Sequence, residues 1–143
     1  MKKISPPQEH IGVFALGWVN VDVYAMWNEA GGEFYHLPDS KSLPRIKIGM
    51  DHGKWEEVLN VILHEAFEYA ADNYQCRYKL TGRHTGNSAD FQFVMDHQQF
   101  AEITGRVAAF LDLFQDNLKA KWLKVEAIRR AESKKKAKRK RKS

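Results

Sequence analysis

The feature that most constrains this chain is a change of hydrophobic period near residue 50. Before it, apolar and polar residues alternate, as on a strand whose successive side chains point to opposite faces. Val19, Val21 and Val23 alternate with Asn20, Asp22 and Tyr24, inside a stretch (residues 11–26) rich in Val, Phe, Tyr and Trp. Residues 33–37 and 45–49 predict two further short strands, separated by the turn-forming Pro38-Asp39-Ser40 and Leu43-Pro44. After residue 53 the spacing becomes three and four: Trp55, Leu59, Ile62, Ala66 and Tyr69 line one face of a helix over residues 54–75. Asp51 or Gly53 is the expected cap. Val58, Leu63 and Ala70 widen that face, so the helix should be buried on more than one side. A second helix is expected from residue 89 or 90 to past 118, with Phe93, Phe100, Ile103, Val107, Phe110, Leu111 and Phe114 as its stripe. The polar, glycine-bearing residues 77–90 read as a long loop between the two. The predicted fold is α+β: a small N-terminal antiparallel sheet packed on two main helices.

One domain is expected over residues 11–128. Pro6-Pro7 marks residues 1–10 as a flexible leader. Residues 129–143 form a basic tail, disordered or helical, which holds ten Lys or Arg against one Glu, a net of +9. The other 128 residues carry 13 basic and 17 acidic groups, a net of −4. The overall +5 therefore belongs to the tail. With 143 residues, 43% of them hydrophobic, the chain can bury a core without staples. A single cysteine, Cys76, forbids an intramolecular disulfide, in keeping with a reducing compartment, and reads as a structural thiol. No apolar run follows the N-terminal lysines and no stretch of about 20 apolar residues exists, so neither a secretory signal nor a membrane span is expected. The expected location is cytoplasmic.

The chemistry-bearing stretch is His64-Glu65-Ala66-Phe67-Glu68. His64 and Glu68 stand at i and i+4, which stacks them on one helix face where both could ligate one ion. Zinc accepts imidazole nitrogen and carboxylate oxygen, and a catalytic site uses three protein ligands plus an open position for water. Glu65 follows the first ligand directly, where the zinc-peptidase helix motif places its general base. The preceding Val61-Ile62-Leu63 is apolar, and charge in such a setting needs a partner or a metal. The expected third ligand is His97, four residues after Phe93 and three before Phe100 and so on the core-facing stripe. Asp96 is a candidate to orient a ligand, and His52 and His84 are lower-ranked substitutes for His97.

Residues 46–117 resemble small, mostly uncharacterised zincin-like proteins of phage and prophage genomes. These carry a Leu-His-Glu-x-x-His or Leu-His-Glu-x-x-Glu helix followed by a second helix with a histidine. The matching residues are Ile62 to Glu68, then His97, then Asp112 to Asn117. A more distant likeness is to the SprT-like metallopeptidase layout, where a later His precedes a Phe, as His97 precedes Phe100. The resemblance implies a minimal zincin core with peptidase activity, although Glu68 stands where the standard motif has its second histidine.

The expected function is a zinc-dependent hydrolase of peptides or proteins: His64, Glu68 and His97 hold zinc and Glu65 activates water. The alternative is a non-enzymatic phage accessory or anti-defence protein that engages a host protein or nucleic acid, with the helix pair as scaffold. Lys134, Lys135, Lys136, Lys138, Arg139, Lys140, Arg141 and Lys142 would give weak, non-specific contact with nucleic acid phosphates. Trp18, Tyr24, Trp27, Phe34 and Tyr35 could form a base-stacking platform, but at strand spacing such aromatics are more often core.

Overall fold

A computed structural model describes residues 7–35, 42–79 and 91–140. β1 (Gln8–Leu16) and β2 (Val19–Met26) form an antiparallel hairpin. Its turn needs Gly17, whose φ of +68° lies in the left-handed region. β3 (Gly32–Tyr35) and β4 (Arg45–Gly49) complete a four-stranded sheet in the order β1-β2-β4-β3. The sheet is mixed. β1 with β2 and β3 with β4 are antiparallel, but β2 and β4 run parallel, because the chain visits the β3 edge before returning between its neighbours. The expected all-antiparallel sheet is corrected at that one pairing.

The alternation in the sequence becomes the two faces of this sheet. Val21, Val23 and Ala25 of β2 and Ile46 and Ile48 of β4 are completely buried on one face. Helix α1 (Trp55–Asn73) lays Val58, Ile62, Ala66 and Tyr69 against them. Full burial of each large aliphatic side chain is worth about 1.5 to 3 kcal/mol, so this interface fastens α1 to the sheet. The N-cap of α1 is Lys54 rather than Asp51 or Gly53, and its backbone N–H donates to Glu57 Oε2 at 3.3 Å.

Three boundaries differ from expectation. Gln8, Glu9 and His10 belong to β1 and not to a loose leader, since Trp27 Nε1 and Lys121 Nζ both donate to the Glu9 carboxylate. Arg77–Lys79 and Phe91–Phe93 are strands β5 and β6 of a small hairpin, so residues 77–79 leave the expected loop and 91–93 leave the expected helix. The long second helix is two: α2 (His97–Asp112) and α3 (Gln115–Lys140). The helix is interrupted at Leu113 and Phe114, and Phe114 is buried against Phe14 and Phe110. No Gly or Pro marks this break. Phe114 packs on Phe14 of β1 there, a contact that a helical stripe cannot report. α3 then lays Leu118, Trp122 and Val125 into the core. Arg129 fastens its middle by donating to the Trp27 carbonyl and pairing with Asp51 and Glu126, both at 3.0 Å. The basic tail continues α3 as helix to Lys140. No helix among the described residues is long and apolar enough to cross a membrane.

Candidate functional site on helix α1

His64, Glu65 and Glu68 lie on the side of α1 that looks toward β3 and α2. One residue after the exposed His64, Glu65 turns inward and is buried, with 8% of its side chain accessible. Its packing depends on Gly32 of β3. A Cβ built at Gly32 would stand 2.6 Å from Glu65 Cγ, 2.9 Å from Oε1 and 2.8 Å from Val61 Cγ1. Gly32 carries no side chain of its own. In the folded chain it is the first residue of β3 and leaves the space that the Glu65 side chain fills.

Burial pushes the Glu65 carboxyl above the ordinary carboxylate range. The His64 ring and the Arg77 guanidinium pull it down, while Glu68 and Glu33 add to the rise. His64 Nε2 stands 3.9 Å from Glu65 Oε1 and 3.6 Å from Glu68 Oε1. Arg77 Nη2 approaches the other Glu68 oxygen at 3.6 Å. Arg77 is held in place by stacking on Phe91, 3.4 Å from its ring centroid, and on Phe34 at 5.1 Å. No sequence pattern pointed to Arg77, because only the β5–β6 hairpin brings it over α1.

A cavity of about 400 Å³ opens beside His64 and Glu68, between α1 and α2. Its walls are Leu63, Phe67, Phe93, Val107 and Ala108, with Asn60 and Thr104 as further polar lining. Leu63, Phe93 and the neighbouring Phe100 are exposed. The site is thus a polar corner joined to an apolar hollow, the usual composition of a small-ligand or side-chain pocket.

The expected ligand set is brought together only in part. His64 and Glu68 are close enough to share an ion, and an imidazole with a carboxylate suits zinc. His97 is exposed on the first turn of α2, not on its core-facing stripe. Phe100, three residues further on, is itself exposed, so this end of α2 lies off the core, and Phe93 belongs to β6 rather than to the helix. Among the described residues no group of three or more His, Cys, Asp and Glu side chains forms a metal-holding cluster. Asp96 is occupied as the N-cap of α2, its carboxylate accepting the Gln99 backbone N–H at 2.8 Å. His52 contacts the Ala30 carbonyl at 2.6 Å. His84 lies outside the described residues. Of the proposed aromatic platform, Trp27 is buried and Phe34 packs edge-on to Tyr69, while Tyr24 and Tyr35 flank Arg45 on the uncovered sheet face. Trp18 stacks on Arg106 and Tyr74. Cys76 is buried.

The chain matches no protein-family model, no curated protein and no solved structure.

Proposed function

We propose that this protein is a hydrolase of peptides or proteins, with Glu65 as the general base and with His64 and Glu68 as two of the three protein donors to a catalytic zinc ion. The observation that carries the reading is the inward Glu65 carboxyl, seated over Gly32 at the start of an edge strand and 3.9 Å from the His64 imidazole. β3 is hydrogen-bonded to β4 on one side and is the last strand of the order on the other. An extended peptide adding to such an edge is held by main-chain hydrogen bonds, and its backbone would pass the Glu65 carboxyl. The apolar hollow beside His64 would take an apolar substrate side chain. Arg77, close to Glu68, would present a positive group to a carbonyl oxygen that gains charge. Zinc bound at this corner would supply Lewis acidity and lower the pKa of water. The described residues leave the third donor unfilled, so the imidazoles to examine are His97 first, then His84 and His52.

The alternative is a binding module that hydrolyses nothing. The exposed Leu63, Phe93 and Phe100 around the hollow favour it, since clustered exposed apolar side chains mark contact surfaces. In either case the basic tail would contribute weak, non-specific contact with nucleic acid through Lys134, Lys135, Lys136, Lys138, Arg139, Lys140, Arg141 and Lys142.

The test is zinc content and peptidase activity of the full chain beside four variants. One equivalent of zinc that His64→Ala abolishes, with Glu65→Gln retaining zinc and losing turnover, supports the hydrolase. The His97→Ala and His84→Ala variants identify the third donor. No zinc uptake by the wild-type chain, or turnover unchanged in Glu65→Gln, overturns the reading.

A further inference from the structure

The end of α3 is the most strongly charged part of the molecule. Up to Arg129 the helix is anchored: Leu118, Trp122 and Val125 are buried, Lys121 pairs with Glu9, and Arg129 bridges to Trp27 and Asp51. From Ala131 to Lys138 every residue is exposed. Helix continues to Lys140, so ten residues project past Arg130, about 15 Å at 1.5 Å per residue. Lys134, Lys135, Lys136 and Lys138 all lie on this arm. At about 100° per residue they cover roughly 200° of its circumference, and Arg139 and Lys140 follow.

Two classes of partner fit this arm poorly. An interfacial membrane helix needs one apolar face opposite its charges, and here the uncharged positions within residues 131–140 are Ala131, Ser133 and Ala137. A second copy of the arm is repelled, because both would carry the same sign. What fits is a channel with negative walls on both sides. The major groove of B-form DNA is about 12 Å wide and flanked by two phosphate backbones, and a helix with side chains is about 10 to 12 Å across. The corresponding groove of A-form RNA is too narrow to admit it.

We infer that the C-terminal half of α3 is a preformed cationic arm that docks in the major groove of duplex DNA without sequence preference. This deepens the nucleic acid contact proposed above and rests on it. Residues 1–128 carry a net of −4, so the phosphates repel the body and the arm alone makes the contact. An already helical arm loses less conformational freedom on docking than a disordered tail would.

The test is fluorescence anisotropy of the full chain with a random-sequence DNA duplex of about 20 base pairs, a matching RNA duplex, single-stranded DNA, and vesicles containing anionic lipid. The expected result is binding to duplex DNA at about 50 mM salt that weakens about 10³-fold by 200 mM. Duplex RNA and single strands should bind at least ~10-fold more weakly. Changing Lys134, Lys135, Lys136 and Lys138 together to Gln keeps good helix formers. It should flatten the slope of log affinity against log salt by about 3 to 4, with an unchanged circular dichroism spectrum. Equal affinity for all three nucleic acids overturns the groove inference but leaves the nucleic acid contact standing. Absence of nucleic acid binding overturns both, and tighter binding to vesicles than to duplex DNA overturns the groove inference. An unchanged slope in the four-Gln variant overturns the assignment to this arm.

Discussion

Gly32→Ala probes the packing on which the candidate site depends. The added Cβ would stand 2.6 Å from Glu65 Cγ and 2.8 Å from Val61 Cγ1, against a comfortable carbon–carbon separation of about 3.5 to 4.0 Å. Each side chain must retreat by roughly 1 Å. The helix cannot carry them away as a body, because Ile62 and Ala66 are completely buried against the sheet. Retreat therefore means leaving a rotamer well, at about 1 kcal/mol for Glu65 and about 1 kcal/mol for the β-branched, stiff Val61. The expected cost is ~2 kcal/mol, within the usual range for overpacking. For a chain of this size that lowers Tm by about 7 °C. The decisive measurement is a cycle with Glu65→Ala, followed by thermal and urea unfolding. Truncating Glu65 removes two of the three clashes and leaves Val61, so Gly32→Ala should cost only about 1 kcal/mol in that background. Equal costs in the two backgrounds would refute the claim that the Glu65 side chain lies against Gly32, and with it the placement of the carboxyl at the β3 edge.

Gly49→Ala should be worse than Gly32→Ala, above about 3 kcal/mol. Its Cβ would meet the backbone of Ala30 and Gly31 rather than a side chain, and neighbouring backbone is held by the Asp51 N–H to Glu29 carbonyl bond at 2.9 Å; urea unfolding checks the order of the two variants. Hydrogen bonds from Gln98 and Tyr74 hold the Glu102 carboxyl below its ordinary 4.5. A depressed carboxylate adds stability that is present above its unfolded value and lost as pH falls through the folded one. Tyr74→Phe should raise the Glu102 titration midpoint in an NMR titration and shrink the stability lost on acidification below about pH 4.5. An unmoved midpoint would show that the phenol does not donate to Glu102 in solution.

How much was legible beforehand depended on how local each property is. Alternation along β2 and β4 and the three-four spacing of α1 are repeated within single segments. From them the α+β class, the buried faces and the position of His64, Glu65 and Glu68 on one helix could be read directly. Charge counting likewise isolated the basic tail. The break at Leu113 escaped because Phe110 and Phe114 satisfy a helical stripe equally well on one continuous helix or on two. His97 was misplaced because it was registered on Phe100, and Phe100 is itself exposed, which the spacing of apolar residues does not report.

The amino-acid sequence by itself determined which segments alternate, which segments coil, and that a His-Glu-x-x-Glu helix follows the sheet-forming region. Only the tertiary structure decided that β2 and β4 run parallel, that β3 is an edge, and that Gly32 makes room for Glu65. It alone carried Arg77 to Glu68, left His97 exposed, and extended α3 into a charged arm. The reason is physical. Periodicity records which side of one element meets a core, whereas pairing and convergence depend on how distant segments fill the same space, and no single segment carries that information.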